Sequence, residues 1–202
     1  MFLFERTSKR YDIDRVLLEW EYLSEKVKWY RKAGPQTALQ YVEGNTCPYT
    51  DPCGSWTYRL MNGEGTMLAT PRTPVKTEHD IAKTVPDYEG TIFEEIMNDW
   101  DAYRMRVLCR KKQTTYTVHT DVTPFRYHLA LITNPDAYVV YPTHKKLFQI
   151  PADGYVYRMN TTEPHTVMNC GPDRYHLVWG SITKEKEYEN ECAEIKLRYA
   201  GY

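Results

Sequence analysis

After Tyr103 the hydrophobic pattern changes its period. Upstream, apolar residues recur at helical spacing; from 104 to 182 they alternate with polar ones. Alternation limits a chain to half-buried strands, so this change constrains the fold more than any other feature. Segments 104–110, 114–121, 125–132, 137–142, 145–150, 154–159, 164–169 and 174–182 read as strands. Turn chemistry separates several of them: Asn134-Pro135-Asp136, Ala152-Asp153-Gly154 and Gly171-Pro172-Asp173. Short strands at such regular spacing predict a β-sandwich or a double-sheet jelly roll.

The flanks are helical or irregular. Ile13, Val16, Leu17, Trp20, Leu23, Val27 and Tyr30 fall on one face of a helix over 13–33, capped by Asp12 and stopped by Gly34-Pro35. Residues 36–90 are broken by Pro48, Pro52, Pro71, Pro74 and Pro86 and by Gly44, Gly54, Gly63 and Gly65. Short β-type pieces sit between them, at Thr37 to Val42 and Ser55 to Leu60. The aromatics Tyr41, Tyr49, Trp56 and Tyr58 argue that this long connection is ordered, either as a cover over the mouth of a site or as a packed loop. Thr91-Ile92-Phe93-Glu94 has capping-box form and opens a second helix, with Phe93, Ile96, Met97, Trp100 and Tyr103 on its apolar face. A last helix over 184–199 carries Tyr188, Cys192, Ile195 and Tyr199 on one side. The expected organisation is one domain over 1–202: a helical and loop-rich part to 103, a jelly-roll core over 104–182, and a final helix.

Composition excludes several classes. Lys and Arg number 26 against 27 Asp and Glu, with no basic block, so no nucleic-acid partner is expected. No apolar run has the length of a signal peptide or a membrane span. The five cysteines form no C-x-x-C pair, which argues against a zinc site and a disulfide scaffold and for reduced thiols in a cytoplasmic protein. The 18 tyrosines suit half-buried β faces, and some are candidates for lining a substrate pocket.

Four of the six histidines fall within these strand segments: His119, His128, His165 and His176. His79 and His144 are assigned to solvent or structure. His119-Thr120-Asp121 places an imidazole and a carboxylate on one strand face, shared by Thr117. With His165 from a later strand they complete the sequence form of a 2-His-1-carboxylate site, which suits Fe(II) because three positions on the ion stay open. Arg126 precedes His128 by two residues, and Arg174 precedes His176 by two. Both pairs fall on inward faces, where burial alone would place apolar side chains. An arginine inside a barrel needs an anion, and a bound dicarboxylate supplies one.

The motifs His119-Thr120-Asp121, Arg126-Tyr127-His128-Leu129, Pro164-His165 and Arg174-Tyr175-His176-Leu177-Val178 resemble the aspartyl/asparaginyl β-hydroxylase family of Fe(II)/2-oxoglutarate-dependent oxygenases. The likeness is to its small prokaryotic and phage-encoded members and covers roughly 104–182. It implies a double-stranded β-helix of the cupin-like kind, with Fe(II), 2-oxoglutarate and O2 as metal and cosubstrates. His119, Asp121 and His165 are the implied metal ligands and catalytic centre, and Arg174 the implied partner of the distal carboxylate of 2-oxoglutarate. Arg126, His128, His176 and Thr117 are expected around the cosubstrate. The implied activity is hydroxylation of an amino-acid side chain, in peptidyl Asp or Asn or a related protein residue. A free amino acid such as proline is the alternative substrate. A non-oxygenase metal-binding cupin and a jelly roll without a metal are the competing readings.

Overall fold

A computed structural model describes the chain except residues 1, 32–33, 55–56, 62–66, 72–76 and 200–202, and only the backbone of 57–61, 67–71 and 192–199. Fourteen strands and three α-helices follow one another: β1 (Phe4–Arg10), α1 (Ile13–Ser24), β2 (Gln36–Ala38), β3 (Gln40–Tyr41), β4 (Thr57–Met61), β5 (Met67–Pro71), β6 (Lys83–Thr84), α2 (Ile92–Trp100), β7 (Ala102–Arg110), β8 (Thr114–Thr115), β9 (Phe125–Ile132), β10 (Ala137–Tyr141), β11 (Lys146–Phe148), β12 (Tyr155–Asn160), β13 (Thr166–Asn169), β14 (Arg174–Ser181) and α3 (Ile182–Tyr199).

The strands β7 to β14 are divided between two antiparallel sheets. One runs β1-β12-β9-β14-β7-β2, the other β11-β10-β13-β8. Successive strands cross between the sheets, apart from the β10–β11 hairpin, and this is the topology of a double-stranded β-helix. Alternation decides what each face meets. On β9, Phe125, Tyr127, Leu129 and Leu131 join the large core formed with α1 and α2, while Arg126, His128 and Ala130 face the other way. On β14, Leu177 and Trp179 pack into that core, which puts Arg174, His176 and Val178 on the interior face. A smaller core of Ala130, Val139, Tyr141, Ile150, Tyr157 and Met159 closes one end of the space between the sheets.

Several boundaries differ from expectation. The first helix stops at Ser24 and not at 33. Beyond it the chain turns back, so that Trp29 packs edge-on against both Trp20 and Tyr175, each at 6.1 Å, and Tyr30 pairs with Gln36. Burial of the indole outweighs further helical turns through the β-prone Val27, Trp29 and Tyr30. The capping box expected at Thr91 does not form. A turn over Pro86–Tyr88 enters the helix directly, so the Thr91 hydroxyl donates to the Tyr88 carbonyl at 2.6 Å. Glu94 accepts from Gly90 N at 2.7 Å, and Glu19 of α1 caps Ile92 N at 2.6 Å. The strand expected over 114–121 shrinks to two residues, for a reason that belongs to the site. β1 was not expected: Glu5, Arg6, Lys9 and Arg10 mask it as a polar tail, and those charges suit an edge strand that pairs only with β12. In 36–90, Tyr41 and Tyr49 pack against the large core. Trp56, the glycines at 63 and 65, Pro74 and the side chain of Tyr58 lie outside the described residues, as do the side chains of Cys192, Ile195 and Tyr199. The four described cysteines are free thiols. No described helix is long and apolar enough to cross a membrane.

One close approach supports the interior. A Cβ on Gly180 would stand 2.1 Å from Cζ of Tyr103, which is fully buried. Gly180→Ala is expected to displace that ring and cost about 1–3 kcal/mol, read as a lower denaturation midpoint at unchanged m-value.

Candidate metal centre

After β8 the chain leaves the sheet and returns to pair at one position only, His119 opposite His165. His119 N donates to the His165 carbonyl at 3.0 Å and His165 N to that of His119 at 2.9 Å. Asp121 N then donates to the Thr161 carbonyl at 2.7 Å. Residues directly opposite in an antiparallel pair project to one side, so the imidazoles stand together, ring centroids 4.4 Å apart. Asp121, two residues on, shares that face. The expected strand 114–121 is thus interrupted where its side chains converge.

One ligand atom from each of His119, Asp121 and His165 lies within 4.8 Å of the others. Two backbone carbonyls orient the rings. His119 Nδ1 lies 2.8 Å from the Thr117 carbonyl oxygen, and His165 Nδ1 lies 2.9 Å from that of Glu163. With Nδ1–H donating, each Nε2 keeps its lone pair, the tautomer a metal needs. Burial, the largest influence, holds the His165 pKa below the ordinary value and favours this neutral ring. Asp121 is held at one oxygen: Arg126 Nε donates to Oδ2 at 3.4 Å, while Oδ1 lies 3.8 Å from His119 Nε2. First-row metal bonds of about 2.0–2.2 Å at right angles separate ligand atoms by about 3 Å. Small side-chain rotations would therefore close this set on one divalent ion, and the donor set fits Fe(II).

The triad opens into a cavity of about 560 Å³ between the sheets. Thr117, Arg126 and His128 line it, so the structure brings these three sequence candidates beside the triad. Arg174 and His176 share the same interior faces but are buried beside the cavity and not among its lining residues. His176 has no hydrogen-bond partner on either nitrogen, nor has Nδ1 of His128; the two rings meet edge-on at 6.0 Å. Burial first, and then the Arg174 charge, hold both imidazoles neutral. Arg174 Nε also lacks a partner, and burial with the neighbouring Arg110 charge pushes the guanidinium pKa down to about 9. The carboxylates nearest in sequence are engaged elsewhere: Asp173 with Lys111 at 2.6 Å, and Glu163 with His144 at 2.8 Å. The structural role assigned to His144 is this pair; His79 has one with Glu185 at 3.1 Å.

Sequence reasoning missed a group of residues on the cavity wall. Glu78, 6 % exposed, accepts through Oε1 from Arg126 Nη2 at 2.6 Å and from Arg104 Nη1. Gln36, Gly54 and Glu78 bring the 36–90 segment to the cavity. Arg104, Arg106 and Arg110 line it from β7: alternation turns Arg106 and Arg110 inward, and a bulge in the pairing with β14, where Arg104 takes φ 53°, brings Arg104 to the same side. The inward-arginine argument that singled out Arg126 and Arg174 applies equally to Arg106-x-x-x-Arg110 and was the available signal, whereas Arg104 comes inward through a bulge that no local pattern marks. Nothing local marks Glu78, whose partners are distant in sequence.

Burial raises the Glu78 pKa, but Arg126 and Arg104 outweigh it and hold the carboxyl well below the usual range. Because the folded pKa is the depressed one, the stabilisation is present above the unfolded value of about 4.3 and fades as pH falls below it. Glu78→Ala leaves two buried guanidinium groups short of an acceptor and is expected to cost about 3–5 kcal/mol. Urea unfolding at pH 7 measures it, and the difference from wild type should narrow in acid.

A second cavity, of about 660 Å³, lies against α1 on the helical side of the sheet and contains none of the triad residues. No family model matches the chain, and no curated protein does. Solved structures do resemble it, two of them as follows. One is an oxidoreductase of the 2OG-Fe(II) oxygenase family from Burkholderia pseudomallei, 13% identical, with 81% of this chain and 76% of that chain covered and a TM-score of 0.44. The other is a Pseudomonas putida prolyl-4-hydroxylase, 12% identical, with 88% and 91% covered and a TM-score of 0.44.

Proposed function

We propose that this chain is an Fe(II)- and 2-oxoglutarate-dependent dioxygenase that hydroxylates an amino-acid side chain. The observation that carries the reading is the convergence of His119, Asp121 and His165 at the cavity, with both histidine tautomers set for coordination by backbone carbonyls. Arg174, buried with no carboxylate partner among the described residues, supports a dicarboxylate cosubstrate. A peptidyl Asp or Asn, as in the aspartyl/asparaginyl β-hydroxylases, is the first candidate substrate and a free amino acid such as proline the second.

Fe(II) with 2-oxoglutarate and O2 supplies the oxidising power to hydroxylate an unactivated C–H bond, releasing succinate and CO2. The protein's own contributions follow from its geometry. The Thr117 and Glu163 carbonyls fix the ligand rings, and Arg126 fixes one oxygen of Asp121. Arg174 would hold the distal carboxylate of 2-oxoglutarate, and the neutral His128 and His176 beside it add no competing charge. Arg126, His128, Arg174 and His176 are buried between the two sheets, and the lower local dielectric there strengthens their contacts.

The direct test is succinate release with Fe(II) and 2-oxoglutarate over a set of amino acids and peptides. It is paired with thermal melting in Mn(II), which fills such a site without turnover. A ligand at a hundred times its Kd should stabilise the fold by about 2.7 kcal/mol. A protein that takes up no divalent ion, with a melting curve indifferent to Mn(II) and 2-oxoglutarate, would refute the proposal.

A further inference from the structure

The inner face of β7 carries more positive charge than the proposed chemistry uses. Arg104, Arg106, Arg110 and Arg126 line the cavity against two carboxylates, Glu78 and Asp121. A bound Fe(II) and a 2-oxoglutarate dianion cancel one another, so the excess of two positive charges persists in the loaded site. The arginines are not equivalent. Glu78 takes Arg104 and Arg126, and Arg126 also holds Asp121. Arg110 stands opposite Arg174 in the β7–β14 register, at the end assigned to the distal carboxylate. Arg106 is left. It stands opposite Val178, which is opposite His128 on its other side, one interior position from Arg126. It thus lies near the metal end of the barrel, about four residues or 13 Å along the sheet from Arg174.

Arg106 is also held in place. Its Nη1 donates to the side-chain oxygen of the buried Gln36 at 3.1 Å, and its Nε is buried without a partner. Burial, then the charges of Arg104 and Arg126, depress its pKa to about 9. A half-buried guanidinium fixed by a neutral amide, facing a cavity, and without a carboxylate among the described residues is built to receive an anion.

We infer that Arg106 is the anion subsite of the substrate, and that the substrate presents a carboxylate to it beside the metal centre. The inference rests on the oxygenase reading and narrows it to carboxylate-bearing substrates. That carboxylate has two possible sources, the α-carboxylate of a free amino acid or the side chain of a peptidyl Asp. A peptidyl Asn offers neither.

The experiment is calorimetric titration of the whole chain, loaded anaerobically with Mn(II) and 2-oxoglutarate, with L-proline, L-aspartate, N-acetyl-aspartyl amide and N-acetyl-asparaginyl amide. At least one carboxylate probe should bind ten- to a hundredfold tighter than the neutral asparaginyl isostere, the size of a charge-assisted hydrogen bond. Preference for the free amino acids identifies the α-carboxylate as the source, and preference for the aspartyl amide the side chain. Arg106→Gln should erase the advantage while leaving the Kd of 2-oxoglutarate and the Mn(II) content as in wild type. Arg106→Lys should keep part of it. If no carboxylate probe outbinds the isostere on the wild-type protein, the inference is overturned whether or not the variants fold. A variant that loses 2-oxoglutarate affinity and keeps probe affinity overturns it too, by moving Arg106 to the cosubstrate. A wild-type protein that takes up neither Mn(II) nor 2-oxoglutarate is a different failure, that of the oxygenase reading itself.

Discussion

Alanine at His119, Asp121 or His165 is expected to abolish turnover and leave the barrel folded. Removing one of three ligands weakens metal binding beyond the roughly 10–100-fold that loss of a supporting hydrogen bond costs. The stability cost should be small by comparison. His119 and Asp121 are half-exposed, so little buried contact is lost with either. His165 is buried, and its replacement falls in the ordinary range of about 0.5–3 kcal/mol. Metal content, succinate release and melting temperature, measured side by side on each variant, check the prediction. The melting shift produced by Mn(II) should vanish in all three. Wild-type metal content and turnover in any one of them would remove that residue from the centre.

The jelly roll was legible because alternation is a local property. Each strand of β9 and β14 states in its own residues which face is apolar, and the two arginine–histidine pairs stand out against that pattern. The His-x-Asp pair was legible for the same reason. His165 was readable only as a later strand residue, because the pairing that sets it opposite His119 crosses between distant segments. Charged β1 and early-ending α1 were misjudged since tertiary contacts overrode their local signals: pairing with β12 in one case, the return of Trp29 onto Trp20 in the other. Glu78 was out of reach. It sits in the proline-broken segment, and its meaning comes from Arg104 and Arg126, one on each of two strands flanking β14. The same holds for the division of labour among the arginines. The inward direction of Arg106, Arg110 and Arg126 is a matter of parity and that of Arg104 of a bulge, but which of them is neutralised by the protein depends on where a single distant carboxylate lands.

Arg174→Ala is expected to weaken 2-oxoglutarate binding by roughly two to four decades. Loss of one partner from a buried, charge-assisted pair costs about 3–5 kcal/mol, which is that range in Kd. Metal uptake should survive, because the triad does not touch this residue. Arg174→Lys should recover little, since an ammonium lacks the planar fork that meets a carboxylate at two points. Stability supplies an independent readout. Without cosubstrate, Arg174 is 3 % exposed with an unpartnered Nε, no acidic partner among the described residues and a pKa driven down by burial and by Arg110. A buried charge in that state destabilises the fold, so Arg174→Met in the cosubstrate-free protein should melt no lower than wild type, and the order should reverse once 2-oxoglutarate is added. A residue placed there for a structural ion pair would behave in the opposite way, with the variant less stable in both states. Unchanged 2-oxoglutarate affinity in Arg174→Ala would pass the anchoring role to Arg110, its neighbour across the β7–β14 pair, because Arg126 is already committed to Glu78 and Asp121.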